Sequence, residues 1–261
     1  MKFTESQLQA IAHNQGNLQI IACAGSGKTE VVARRVATLL KNGTANGLQP
    51  RNIVAFTFTE KAAAELKERI VTRCREELGE VYGLAEMFVG TIHAFCLELL
   101  KSEAPKNLNF TGVPLRRYRD PGHDLTELSI FREDDLDKEN LSACTVMKGL
   151  DSYFDLLKEA RYFDYSSIMK AAVDVLANDE GMRERLAARI CHVIVDKFQD
   201  ANPVQAAIVR CLHDLEVAVC VVGDGDQTIY QWRSDVENIL TFSKRYPDVT
   251  QLRWVLNHEK L

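Results

Sequence analysis

The chain has 261 residues, 46% of them hydrophobic and 26% charged, which is enough for one large folded unit or two modest ones at ~150 residues per domain. That balance excludes a disordered chain, and no apolar run approaches the ~18–20 residues needed to cross a bilayer. The net charge is −5, from 32 Lys+Arg against 37 Asp+Glu, so any nucleic-acid site has to be a local patch.

The opening stretch, MKFTESQLQAIAH, is polar and amphipathic, unlike a secretory leader, and a cytoplasmic location is the expectation. Thr4-Glu5-Ser6-Gln7 has capping-box spacing and predicts a short helix through His13. Leu18 to Cys23 reads as a β-rich run, AGSGKT follows, and Glu30 to Lys41 has helical period. NGTANGLQP is a loop, Asn52 to Thr57 a buried strand, and Glu60 to Leu78 a helix. Phe88 to Thr91 is a short strand before a helix over Ile92 to Lys101. From Glu103 to about Ala188 the rhythm stops. Pro105, Pro114 and Pro121 break its opening, and RRYR (116–119) and REDDLDKE (132–139) read as solvated charge runs. Helical stretches follow around Tyr153 to Arg161, Ser167 to Ala177 and Met182 to Arg189. The α/β rhythm returns with His192 to Asp196, a helix after Pro203, Val217 to Asp224, and a helix from about Asp235 to Arg245. Strands alternating with long helices predict an α/β fold: a parallel sheet flanked by helices, split into residues 1–103 and 189–261 around a helical insertion at 104–188. The seven cysteines are scattered without a C-x-x-C pair, so neither a zinc site nor a disulfide framework is indicated.

A strand, then Ala24-Gly25-Ser26-Gly27-Lys28-Thr29, then a helix is the layout of a phosphate-binding loop. Gly25 and Gly27 let successive N–H groups turn toward phosphate oxygens, and the helix start adds its free N–H groups and positive dipole end. Lys28 is the candidate for the β- and γ-phosphates, and the Thr29 hydroxyl for Mg²⁺. Ala22 stands where the full pattern has its first glycine. Asp196, closing HVIVD, is the candidate acidic partner of the Mg²⁺. The next residue is Lys197, whose ammonium has three donors and no acceptor for a proton from water.

Taken in order, TESQLQAIAH, AGSGKT, AFTFTEKAAAELKERI, VGTIHAFC, VDKFQDANPVQ and VVGDGDQTIYQWR resemble the first motor domain of UvrD/Rep-type superfamily 1 DNA helicases, over about residues 4 to 233. The resemblance implies a RecA-like nucleotide-binding core with ATP and Mg²⁺ as ligands and single-stranded DNA as partner. It implies that Gln7 reads adenine, with a helix cap as the plainer alternative. Lys28, Thr29 and Asp196 would hold the triphosphate and Mg²⁺, and Gln227 would sense the γ-phosphate. Thr57, Phe58, Thr91, His93, Tyr230, Trp232 and Arg233 would face the DNA, where aromatic rings stack on bases of any sequence. Core packing is the alternative for Phe58 and Trp232, and helix capping for His93. The insertion sits where the family carries a helical subdomain.

Four departures from that pattern fall late in the chain. Lys197 stands where the resemblance implies a catalytic Glu, Gly225 where an acidic residue is common, and Ser234 where a Gly follows the Arg. The expected strand ending in Asn-aromatic-Arg-Ser reads QLRWVLNHEKL, without that arginine. A motor of this kind closes two RecA-like domains around ATP, and these residues account for one. The expectation is therefore ATP and single-stranded-DNA binding, weak or absent turnover, and no unwinding by this chain alone. The expected partner in trans is a second motor domain or helicase subunit. A nucleotide-gated binding module and an inactive remnant are the alternatives.

Overall fold

The computed structural model describes residues 3–102, 165–224 and 237–254. In chain order these form α1 (Glu5–Ala12), β1 (Asn17–Ala22), α2 (Lys28–Gly43), β2 (Ile53–Thr57), α3 (Glu60–Leu78), β3 (Phe88–Thr91) and α4 (Ile92–Ser102). From residue 165 onward come α5 (Tyr165–Asn178), α6 (Glu180–Arg189), β4 (His192–Asp196), α7 (Pro203–His213), β5 (Ala218–Gly223), α8 (Glu237–Arg245) and β6 (Val249–Trp254). The strands make one parallel sheet in the order β3-β2-β4-β5-β1-β6.

A parallel sheet is buried on both faces, so its strands read as continuous apolar runs. Alternate residues serve opposite faces. Ile53, Ala55, Ile194, Cys220 and Val222 join Leu18 and Ile20 in one cluster, filled by Val31, Val32 and Val36 of α2 and Leu66 and Ile70 of α3. Val54, Phe56, Val193, Val195, Val219 and Val221 point the other way, into a cluster with α4, α5, α6, α7 and α8. Ile168, Met169 and Leu176 of α5 and Met182 and Leu186 of α6 belong to this second cluster. The described end of the segment expected as an insertion is thus built into the core of the sheet.

Local chemistry fixes the helix starts. Thr4 and Gln7 form the capping box read from sequence, and Asn202 and Gln205 form another before α7. Thr59 caps α3 and Asp179 caps α6. Helix α2 begins two residues before its apolar period does, because its first turn is the end of the phosphate loop. The NGTANGLQP loop contains one 3₁₀ turn, at 44–46, and its last residue, Pro50, opens another at 50–52. The expected late strand exists as β6, paired with β1 from Asn17↔Val249 to Ala22↔Trp254.

Candidate functional site

All six strands point their carboxyl ends at one edge, where an open α/β sheet places its ligands. The phosphate loop leaves β1 there. Gly25 and Gly27 have φ of 72° and 82°, a left-handed conformation that a Cβ makes costly. Gly27 is the N-cap of α2, with no side-chain cap on the helix's free N–H groups. Ala24 and Gly25 are exposed and Ser26 is buried. The Cys23 carbonyl accepts from Ser26 N at 3.3 Å and Ser26 Oγ at 2.6 Å. The Ser26 carbonyl accepts from Gln7 Nε2 at 2.9 Å and from Trp254 Nε1 at 3.2 Å.

Lys28 folds back over the loop, donating Nζ to the carbonyls of Ala22 (2.7 Å) and Cys23 (2.8 Å), with Asp224 Oδ2 at 3.8 Å. Burial pushes its pKa below the ordinary lysine value, against the opposing pull of Asp224 and Asp196. Asp224, 3% exposed just beyond β5, is a neighbour of Lys28 that the sequence reading took only as a strand end. The signal was available in VVGD: a carboxylate closing an apolar strand next to β1.

Asp196 closes β4 at 5% exposure and accepts from the Lys197 amide at 3.0 Å. Burial raises its pKa, opposed by Lys197 and Lys28. Lys197 is exposed at φ 59°, ψ 40°, and opens the 3₁₀ turn Phe198–Asp200. Gln199, buried in that turn, accepts from the Asp224 amide at 3.2 Å and so links the ends of β4 and β5. Thr29 is half-buried in the first turn of α2.

On the β2–β3 side, Thr57 is buried and donates to the Thr59 carbonyl at 3.2 Å, and Phe58 packs partly buried against the apolar cluster. Thr91 accepts from Ala94 N at 3.2 Å and donates to Glu60 Oε1 at 3.1 Å, so Thr91 is the residue that caps the start of α4. His93 is half-buried, with its ring edge-to-face to Tyr165 at 5.1 Å. Tyr165, 54% exposed at the start of α5, was not singled out from sequence, where nothing links it to His93. Gln227, Tyr230, Trp232 and Arg233 lie outside the described residues, as do Gly225, Ser234 and the RRYR run.

The model of the UvrD/REP helicase N-terminal domain matches residues 3–136 and 123–247. The chain belongs to the UvrD/Rep helicase family. It is 32% identical to the ATP-dependent DNA helicase UvrD1 of Mycobacterium leprae over 289 residues, covering 94% of this chain and 36% of that protein. It is equally similar to UvrD1 of Mycobacterium tuberculosis (strain ATCC 25618 / H37Rv), at 32% over 288 residues, 93% of this chain and 35% of that protein. The ATP-dependent DNA helicase PcrA of Staphylococcus aureus (strain NCTC 8325 / PS 47) is 30% identical over 282 residues, 94% of this chain and 36% of that protein. The chain therefore spans about a third of the length of these relatives. For a UvrD/Rep N-terminal domain the layout is coherent. The phosphate loop, Asp224 and Asp196 share one stretch of the carboxyl edge, and Thr57 and Thr91 end the next two strands. Among the described residues no helix is long and apolar enough to cross a membrane.

Proposed function

We propose that the chain binds MgATP at the β1–β5–β4 edge and single-stranded DNA beyond it, as the N-terminal motor domain of an ATP-dependent DNA helicase. The observation that carries this reading is Lys28, held over a loop with two left-handed glycines and facing two buried carboxylates, Asp224 and Asp196. ATP, when bound, supplies the phosphoanhydride bond whose hydrolysis drives such motors. Lys28 exchanges the Ala22 and Cys23 carbonyls for β- and γ-phosphate oxygens. Mg²⁺, held by Thr29 and Asp196, would supply charge neutralisation on the phosphates. Gln227 reads the γ-phosphate. Thr57, Phe58, Thr91 and His93 meet the DNA together with Tyr230, Trp232 and Arg233.

Lys197 offers donors only, so it orients no water as a base, and loss of a general base costs ~10²–10⁴-fold. Together with the need for a second motor domain in trans, this gives a chain that binds ATP, turns it over weakly and does not unwind DNA by itself. Isothermal titration with a non-hydrolysable ATP analogue and Mg²⁺, with and without oligo-dT, tests the reading. Binding that is lost in Lys28→Ala supports it, and the absence of heat with the wild-type chain refutes it. Lys197→Glu, assayed with a second motor domain supplied in trans, is expected to raise turnover. Helicase-like hydrolysis by the wild-type chain would mean that Lys197 has been misread.

The exposed Lys197 also favours a second reading, a DNA-binding module gated by nucleotide without turnover. DNA affinity that changes with ATP in the absence of hydrolysis distinguishes it.

A further inference from the structure

We propose that Trp254 is a positioning residue of the nucleotide site: its indole N–H, together with the Gln7 carboxamide, holds the Ser26 carbonyl so that the Gly27 amide is preset to meet phosphate. This rests on the ATP-binding reading above and adds β6, at the edge of the sheet, to the site. Strand β6 pairs with β1 as far as Ala22↔Trp254, which brings its last residue beside the root of the phosphate loop. Trp254 is 7% exposed, and its Nε1 donates to the Ser26 carbonyl at 3.2 Å. Gln7 Nε2 donates to the same oxygen at 2.9 Å. Two donors occupy the oxygen's two lone pairs.

The Gln7 carboxamide is itself fixed, because its Oε1 accepts from Thr4 N at 2.9 Å in the capping box of α1. Three elements distant in sequence, α1, the phosphate loop and β6, therefore converge on one carbonyl. The Ser26 carbonyl and the Gly27 N–H belong to a single planar trans peptide and point in opposite directions. Fixing the oxygen fixes the amide hydrogen on the other side. Gly27, on one side of this peptide, and Gly25, one residue before it, are both left-handed, the conformation in which glycine lets the backbone turn at least cost. Gln7 and Trp254 remove that freedom before the nucleotide arrives, so less ordering is left to binding.

The test uses the 261-residue chain, MgATP as the probe, and Trp254→Phe, which removes the donor and keeps a ring. Titration calorimetry is expected to give about fivefold weaker MgATP binding in the variant, the loss of one hydrogen bond. In the otherwise unmodified chain, the Trp254 indole ¹H–¹⁵N resonance, assigned with the help of Trp232→Phe, is expected to shift on saturation with MgATP. That second measurement needs no Trp254 variant to fold. A purely structural Trp254 would lower the melting temperature of Trp254→Phe and leave MgATP affinity unchanged, which overturns the proposal. So does an indole signal that ignores saturating MgATP. A wild-type chain that gives no heat with MgATP refutes the ATP-binding reading itself, an outcome distinct from equal binding by wild type and variant.

Discussion

Lys197 sits in a left-handed backbone conformation, φ 59° and ψ 40°, which costs a residue with a Cβ about 1 kcal/mol. It is exposed, next to the buried Asp196, so neither packing nor burial requires a lysine there. Lys197→Asn, which tolerates this conformation better, is expected to stabilise the chain by roughly 0.5–1 kcal/mol, read as a rise of a few degrees in thermal unfolding. A different residue sets the acid limit. Arg35 is 1% exposed and donates Nη1 to the Ala10 carbonyl at 3.0 Å and to that of His13. Burial, then the charge of Arg35, holds His192 down from 6.5 to about 4, and the same two causes lower His13. The fold accommodates neutral His192, so its contribution is intact above pH 6.5 and is lost as the pH falls from 6.5 toward 4. Asp196, raised by burial, works in the opposite direction, because protonating it relieves a buried charge. His192→Val is expected to flatten the acid loss, leaving the wild type on the order of 2 kcal/mol further below its neutral-pH stability at pH 4.5. Chemical denaturation of both proteins at pH 7 and pH 4.5 measures it, and parallel losses would remove His192 as the cause.

Between elements, the strongest polar joint is that of α2 with α3. Glu30, one residue after the phosphate loop, is 7% exposed and meets Arg34 at 2.8 Å, Arg73 at 2.8 Å and Arg69 at 4.0 Å. Burial pushes its carboxyl upward, but hydrogen bonds from Arg73 and Arg34 outweigh this and leave it below the ordinary value. Its contribution is then present above about pH 4.5 and is lost as the pH falls through the lowered value. Glu30→Gln is expected to cost about 1–3 kcal/mol at pH 7 and much less near pH 3, as unfolding curves at the two pH values would show. This joint was invisible in the sequence, because nothing in the spacing of Glu30 and Arg73 says that α2 and α3 lie on the same face. What local chemistry controls was legible: β3, α3 and β4 fall at the residues where apolar runs and caps put them. The Lys28 loop and Asp196 were legible for the same reason, since strand, turn and helix start are contiguous. The closeness of Asp224 and Trp254 to that loop was not, because β5 and β6 reach it only by pairing with β1. Periodicity likewise identified α5 and α6 as helices but not their place in the sheet's core.

Across the whole molecule, the candidate nucleotide and DNA residues share one rigid layer. The ends of β1 and β2 are three strands apart in the sheet, about 14 Å at ~4.8 Å per strand. A parallel sheet packed on both faces does not stretch, so nucleotide binding at β1 cannot slide the β2–β3 end along DNA. On the proposed reading, moving DNA is expected to need a second body that closes and opens against this one. A ligand shifts affinity at another site only as far as it favours one of two conformations. With one layer, the expected coupling is small: MgATP should change the affinity for oligo-dT by less than about threefold, or under ~1 kcal/mol. With a net charge of −5, the proposed DNA contact has to be a local patch. If it neutralises about three phosphates, the log–log slope of affinity against salt is near −2 for a single strand, far shallower than that of a large basic interface. Fluorescence anisotropy with labelled oligo-dT at several salt concentrations, with and without MgATP, measures both quantities, and a strand-displacement assay is expected to stay flat. A slope much steeper than this would mean a larger basic interface than a local patch, and a tenfold response to MgATP would mean that this layer changes shape by itself, so that the expectation of a second body would fail for this chain.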